Sequence, residues 1–253
     1  MLKAFGLTDV GRRRKLNEDN FLVDLETQLF GVCDGMGGHN AGEVASKMAI
    51  ETVGSFISRS HREKEITWPY GLDVNLSFDG NRIKTAIKLA NKKVFKAADN
   101  RDEYTGMGTT VVAAVVTDNV MTIGSAGDSR CYLLRGGQLS QLTRDDSWVS
   151  AAWAEGILSA DEIERHPLRN VITKAIGAKE TLETDIVEHK LDDGDLALLC
   201  SDGLHGMIND QQILETLNST PDSLEEASQR LIEAANEAGG KDNVSVVLVR
   251  YSE

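Results

Sequence analysis

Cysteine and proline are scarce in this sequence, three of each in 253 residues, and aromatic residues make up only 5%. The cysteine count is odd, and Cys33, Cys131 and Cys200 each sit in an apolar stretch. That excludes a disulfide framework and fits buried, reduced thiols in a cytosolic protein. So little proline, beside 41% hydrophobic residues, excludes a disordered chain and leaves ample material for a core. Long apolar runs are missing as well. Val111 to Val116 and Leu196 to Cys200 are the longest, far short of the roughly 18 residues a membrane span needs. Asp9 and Arg12-Arg13-Arg14 interrupt any apolar start, so no secretory signal and a cytoplasmic location are expected. Basic residues are outnumbered too: 27 Lys and Arg against 40 Asp and Glu give a formal charge of −13. Such an excess of carboxylates repels a phosphate backbone and excludes a nucleic-acid binder.

What is present is a chain of short β-rich runs. No repeat, low-complexity segment or compositional break interrupts residues 1–253, so one domain is expected. The runs are Lys3 to Asp9, Asn20 to Asp24 and Gln28 to Cys33, with Glu26-Thr27 as a hairpin turn. Then come Thr109 to Val116, Val120 to Ser125, Arg130 to Arg135 and Gln138 to Leu142. Thr117-Asp118-Asn119 and Gly136-Gly137 are tight turns, which predicts antiparallel pairing of their neighbours. Thr184 to His189, Leu196 to Ser201 and Val244 to Tyr251 complete the set.

Helical periodicity falls between these blocks. Val44, Met48, Thr52 and Phe56, beside Ala45, Ala49, Val53 and Ile57, form one wide apolar face. Ile83, Ile87, Ala90, Val94 and Ala97 mark a second helix, and Leu224, Ala227, Leu231 and Ala235 a third. Ser223 with Glu226, and Ser159 with Glu162, have the spacing of capping boxes. The fold class is α+β: two stacked antiparallel sheets flanked by helices, with a βαβ parallel sheet as the weaker reading.

The carboxylates fall at telling places. Asp34 ends Leu29-Phe30-Gly31-Val32-Cys33, and Asp202 lies just past Leu196 to Ser201. Asp128 precedes Arg130 to Arg135, and Asp242 precedes Val244 to Arg250. In antiparallel pairs the end of one strand lies beside the start of its neighbour, so all four acids can line one rim. They would repel there unless a cation lay between them. Oxygen-only ligands, with no Cys or His pair at zinc spacing, suit Mg²⁺ or Mn²⁺. Two such ions about 3.5–4 Å apart can share and activate a water for attack on phosphorus. The competing reading makes each Asp an ordinary turn residue, a weaker account of four together.

Gly35-Met36-Gly37-Gly38-His39 follows a strand and precedes a helix, yet Asn40 stands where a dinucleotide loop needs its third glycine. Those glycines fit better a sharp turn that lets the Gly35 carbonyl reach a metal. Arg12-Arg13-Arg14-Lys15 is a basic cluster, either a solvated loop or the source of a guanidinium that grips a phosphate beside the metals.

Taken in order, these residues resemble a known family. The motifs are Arg14-Lys15-Leu16-Asn17-Glu18-Asp19, Val32-Cys33-Asp34-Gly35-Met36-Gly37-Gly38-His39, Gly42-Glu43-Val44-Ala45-Ser46 and Gly108-Thr109-Thr110. Next come Gly127-Asp128-Ser129-Arg130, Leu142-Thr143 and Asn170-Val171-Ile172-Thr173-Lys174-Ala175-Ile176-Gly177. Cys200-Ser201-Asp202-Gly203-Leu204 and Asp242-Asn243-Val244-Ser245 close the series. The sequence resembles the compact bacterial form of the metal-dependent Ser/Thr protein phosphatases of type 2C (PPM), nearly end to end.

The resemblance implies a four-layer αββα sandwich with helix pairs outside, and two Mn²⁺ or Mg²⁺ ions with a third, weaker one. By the same resemblance Asp34 bridges the two metals, and the Gly35 carbonyl serves one while Asp202 and Asp242 serve the other. Asp128 matches the third-metal ligand. Glu18 and Asp19 act on bound waters or in the surrounding shell, with Asn243 beside them, and Arg14 holds the substrate phosphate. Asp34, Asp202 and Asp242 would carry catalysis, with His39 or a metal-bound water as the leaving-group acid.

Three departures stand out. Asp145-Asp146-Ser147 replaces Asp-His-Ser at the start of a flap of about residues 145–169, Ser245 replaces Thr, and Met36 stands where animal relatives place a His. The implied function is dephosphorylation of phosphoserine and phosphothreonine in signalling proteins by a metal-activated water. A eukaryotic-like Ser/Thr kinase is the implied counterpart, with no nucleic-acid or membrane partner. The alternatives are a catalytically silent phosphoprotein-binding module of the same fold, and a two-metal nuclease or small-molecule phosphohydrolase.

Overall fold

β-Branched residues pack well on a pleated surface and lose little by being extended, and the valine-rich runs accordingly form strands. The computed structural model describes residues 1–38, 41–63, 67–159, 162 and 166–253. Its strands are β1 (Leu2–Asp9), β2 (Asp19–Asp24), β3 (Leu29–Met36), β4 (Gly108–Thr109), β5 (Val111–Thr117) and β6 (Val120–Ala126). They continue with β7 (Arg130–Arg135), β8 (Gln138–Gln141), β9 (Asp185–Lys190), β10 (Leu196–Cys200) and β11 (Val244–Tyr251). The helices are α1 (Ala41–Arg62), α2 (Phe78–Asn100), α3 (Trp148–Ala154), α4 (Asp202–His205), α5 (Asp210–Ser219) and α6 (Leu224–Glu237).

One sheet has the order β1-β11-β10-β7-β8; the other runs β2-β3-β5-β6-β9, with β4 paired to β3. Every pairing between these strands is antiparallel. Gly136 and Gly137, at φ +56° and +79°, make the tight turn between β7 and β8 that their sequence predicts.

Strand alternation sorts side chains into layers. In β10, Leu196, Leu198 and Cys200 face α4, α5 and α6, while Ala197 and Leu199 face the opposite sheet. In β3, Leu29 and Cys33 face α1 and α2, while Phe30 and Val32 meet Leu199 and Val247 between the sheets. Both faces of these strands are covered, which is why they read as continuous apolar runs. The result is the expected α+β sandwich: α1 and α2 on one outside, two sheets within, and α5 and α6 on the other outside.

Several local expectations are corrected. Asp34 does not end β3; the strand runs on to Met36 because Gly35 and Met36 pair with Thr109 and Gly108 of β4. That pairing joins residues far apart in sequence. The expected strand Thr109 to Val116 is split at Thr110 for the same reason. Gln28, expected to begin a strand, has φ +53° and belongs to the turn, which the Asp24 carboxylate closes by accepting from Thr27 Oγ1 at 2.7 Å. The row Ala45, Ala49, Val53, Ile57 is the buried centre of the α1 face, with Val44 and Met48 at its edge.

Ser223 caps α6 by accepting from the Glu226 N–H at 3.1 Å. The Glu162 carboxylate accepts from Ser159 N–H and Oγ at 2.8 and 2.7 Å, while much of the short helix expected there lies outside the described residues. Helices α3, α4 and α5 were not expected from the sequence. Trp148–Ala154 and Asp202–His205 are too short to show a period, and α5 buries only Ile213 and Leu217.

Candidate metal centre

Strand pairing assembles the acidic rim. Asp34 on β3 sits opposite Asp19 at the start of β2. Asp202 opens α4 directly after β10, and Asp242 lies two residues before β11, the neighbour of β10. Asp128 lies in the β6–β7 connection, which crosses from one sheet to the other. Five acids from distant parts of the chain thus share one end of the sandwich.

Backbone contacts fix the first of them. The Asp34 N–H donates to Thr110 Oγ1 at 2.9 Å, and its carbonyl accepts from Thr109 Oγ1 at 2.8 Å and from the Thr110 N–H at 2.9 Å. The Gly35 N–H donates to the Glu18 carbonyl at 3.2 Å. A Cβ on Gly35 would lie 2.1 Å from the Gly42 carbonyl oxygen, so only glycine lets β3 and α1 approach this closely. Asp19 is almost wholly buried; its Oδ2 accepts from Ser245 Oγ at 2.7 Å and Ser201 Oγ at 2.8 Å. These hydroxyls come from the strand ends that carry Asp242 and Asp202. Ser245 therefore retains the hydroxyl of the threonine it replaces.

Asn243 ties the basic loop to this rim. Its Oδ1 accepts from the Glu18 N–H at 2.8 Å, and its Nδ2 donates to the carbonyls of Val10 and Leu16 at 3.0 and 2.9 Å. Held so, Arg14 Nη2 donates to Asp242 Oδ2 at 2.6 Å. Asp242 Oδ1 accepts from the Asn243 N–H at 2.9 Å. His39 lies outside the described residues.

The electrostatics are unfavourable for so many carboxylates. Desolvation pushes Asp34 well above the usual carboxylate range, and the charges of Asp19, Asp202, Asp128 and Asp242 add to it. Asp19 is pushed up to about 7 by burial, against the pull of the Ser245 and Ser201 hydroxyls. Asp128 is likewise raised to about 7, by burial and then by Asp202 and Asp145. Burial and Asp242 raise Asp202, which a hydrogen bond with Asp34 partly offsets. Glu18 is raised by desolvation and lowered by the charge of Arg14.

The donor set fits a hard divalent cation. Oδ1 of Asp19, of Asp128 and of Asp202 is buried with no hydrogen-bond partner. A buried carboxylate oxygen left unpartnered costs free energy that a cation would recover. Among the described residues no three His, Cys, Asp or Glu side chains form a ready-made cage. Mg²⁺-like ions do not demand one, since they keep several waters and take only one or two carboxylates each. A cavity of about 550 Å³ adjoins the rim, lined by Asp128, Asp202, Asp242, Asn209, Gln212 and Lys241 among others.

Sequence reasoning missed several supports. Ser245 in β11 and Ser201 just past β10 are hydroxyls beside apolar runs, a polar break that was a readable signal. His205 Nε2 donates to the Asp128 carbonyl at 3.0 Å, and desolvation holds the ring neutral, down to about 3. Arg130 forks onto Asp145 at 2.7 and 2.9 Å, pinning the start of the expected flap. The extra acid of the flap, Asp146, meets Lys174 Nζ at 2.7 Å and so is not left uncompensated.

A sandwich of two antiparallel sheets with hard-oxygen donors and an arginine at one end defines the class of metal-dependent phosphoester hydrolases. The particular family follows from comparison. The sequence profile described as Protein phosphatase 2C matches residues 11–246. The chain is 34% identical over 255 residues to protein phosphatase PhpP of Streptococcus pneumoniae, covering 98% of this chain and 96% of that one. It is 35% identical over 249 residues to serine/threonine phosphatase stp of Listeria monocytogenes, covering 96% and 93%. The solved catalytic domain of the serine/threonine protein phosphatase PstP, in complex with two manganese ions, superimposes with a TM-score of 0.84 at 32% identity, covering 100% of this chain and 99% of that one. The chain belongs to the protein phosphatase 2C family of serine/threonine protein phosphatases.

Proposed function

We propose that this chain hydrolyses phosphoserine and phosphothreonine esters in proteins, using two Mn²⁺ or Mg²⁺ ions and a weaker third. Asp34, the Gly35 carbonyl, Asp202 and Asp242 would hold the pair, and Asp128 the third. When bound, such ions neutralise charge on the phosphoryl group and supply an acidified water at neutral pH. The remaining work falls to the chain's own residues. Arg14 turns its guanidinium from Asp242 to the substrate phosphate and orients it. Asp19, gripped by Ser201 and Ser245, and Glu18 would order water in the shell around the ions. Asn243 keeps the Arg14 loop in register with β11.

Asp145 and Ser147, at the start of the expected flap of about residues 145–169, line the cleft a peptide would enter, and His39 is a candidate leaving-group acid. Phosphorylated proteins are the proposed partners, with a Ser/Thr kinase as the counterpart that makes them. A cytoplasmic site of action is proposed as well; no helix among the described residues is long and apolar enough to cross a membrane.

The observation that carries this reading is the trio of buried, unpartnered carboxylate oxygens. The test is turnover of an aryl phosphate and a phosphothreonine peptide with Mn²⁺, with excess chelator and with Asp202→Asn. Activity only in the unmodified, metal-supplied protein is the expected result. Full activity in chelator overturns the reading, and no activity under any condition favours the silent module.

A further inference from the structure

The basic cluster holds more charge than the proposed reaction uses. Arg14 has a role; Arg12, Arg13 and Lys15 have none. The N–H groups of Arg12 and Arg13 both donate to the Gly240 carbonyl, at 2.8 and 3.1 Å, which fastens this loop to the segment before Asp242. The approach is tight. A Cβ on Gly11, which has φ +79°, would lie 2.2 Å from the Asp242 carbonyl oxygen.

The fastening sets the loop Arg12 to Lys15 against Gly240, the neighbour of Lys241, which lines the 550 Å³ cavity together with Asp242 and Asp202. Arg12, Arg13, Lys15 and Lys241 are exposed, and among the described residues none of the four forms an ion pair. Two neighbouring acids, Asp9 and Asp242, are engaged elsewhere. Asp9 accepts from the Gly11 N–H at 2.8 Å and from Asn236 Nδ2 at 3.0 Å, and Asp242 is paired with Arg14. Lys241 thus lines the cleft, and Arg12, Arg13 and Lys15 belong to the loop fastened to the adjoining segment, in a chain of net charge −13.

We propose that this edge of the cleft reads acidic side chains next to the phosphorylated residue. The preferred substrates would then be phosphoserine and phosphothreonine segments flanked by Asp or Glu. The proposal rests on the phosphatase reading of the same site. Two electrostatic effects compete, the repulsion of an acidic peptide by the whole chain and its attraction by the rim. At physiological ionic strength the screening length is about 8 Å, so charges spread over the far surface are largely damped while contacts at the rim are not. With the carboxylates of the cleft balanced by the cations they would hold, the local attraction wins there and steers the peptide in.

The test compares three phosphothreonine peptides of one length, flanked by Glu, by Gln or by Lys, with the Mn²⁺-loaded protein at low and high NaCl. The expected kcat/KM for the Glu peptide is about tenfold that of the Gln peptide at low salt, the scale of a few exposed ion pairs, falling toward parity at high salt. In the combined Arg12→Gln, Arg13→Gln, Lys15→Gln and Lys241→Gln variant, the ratio should be near one at both salts. Equal rates, a preference for the Lys peptide, or a ratio unchanged in the variant overturns the proposal. If that variant does not fold, the salt series on the unmodified protein decides. Turnover without charge discrimination sinks this inference alone. Silence on all three peptides and on aryl phosphate sinks the phosphatase reading, and this inference with it.

Discussion

The middle of the sandwich and its acidic end are built from the same strands, yet they obey opposite rules. Between the sheets, Phe30, Val32, Val112, Leu199 and Val247 are fully buried and wholly apolar. Two residues beyond Val32 on β3 stands Asp34, and three beyond Leu199 stands Asp202, both in a cluster of carboxylates that raise one another's pKa. The core stabilises the fold by removing apolar surface from water. The end withdraws charge from water and leaves polar atoms unpartnered, which favours unfolding. A protein keeps such an arrangement for what it binds, and it tolerates the cost because the rigid layer beneath holds the acids in place.

Mutation can break this contrast. The largest effect is expected from Asp202→Asn: turnover of aryl phosphate and phosphopeptide is abolished, while the metal-free Tm rises because a like-charge repulsion is removed. A fall in Tm with activity retained would make the rim structural, like the core. Next, Leu199→Ala should cost about 2–5 kcal/mol in urea unfolding of chelator-treated protein, the usual loss for a buried leucine. Little change there would mean that the sheets are held from outside, by their helices.

Arg14→Ala should raise KM for phosphopeptides about 10- to 100-fold, since a charge-assisted hydrogen bond contributes roughly 1.5–3 kcal/mol. Mn²⁺ affinity, read by titration, should be undiminished. Weaker metal binding would assign Arg14 to building the metal site and not to gripping phosphate.

A further expectation is the pH dependence of metal-free stability. Asp19 and Asp128 are raised to about 7 in the folded state, above the unfolded value near 4. Between those limits the folded protein holds protons that the unfolded chain has released. Their contribution is therefore fully present below about pH 4 and is lost as pH rises through about 7. Urea midpoints in chelator should fall across that window, and saturating Mn²⁺ should abolish the fall. A rise would place these carboxyls among satisfied ion pairs.

Legibility in the sequence followed the same divide. The strands could be read because alternation, valine content and Gly136-Gly137 all act within a few residues of one another. The motif acids could also be read, and the fold brings Asp34, Asp128, Asp202 and Asp242 to one end, although Asp34 lies inside β3 and not at its close. What could not be read depends on partners far away in the chain. The extension of β3 through Asp34 needs β4, more than 70 residues later. The grip of Ser201 and Ser245 on Asp19, and the pairing of Arg14 with Asp242, span more than 180 residues each. No local pattern encodes such contacts. Helix α4 escaped because a single turn has no period to detect.

Strand β11 lies between β1 and β10 although it is the last strand in sequence, and the candidate ligand Asp242 immediately precedes the Asn243 that leads into it. On the ribosome, then, β1 and β10 are made with a gap between them that only residues 244–251 fill. A chain cut before Asp242 therefore loses an acid of the rim and the strand between β1 and β10 together.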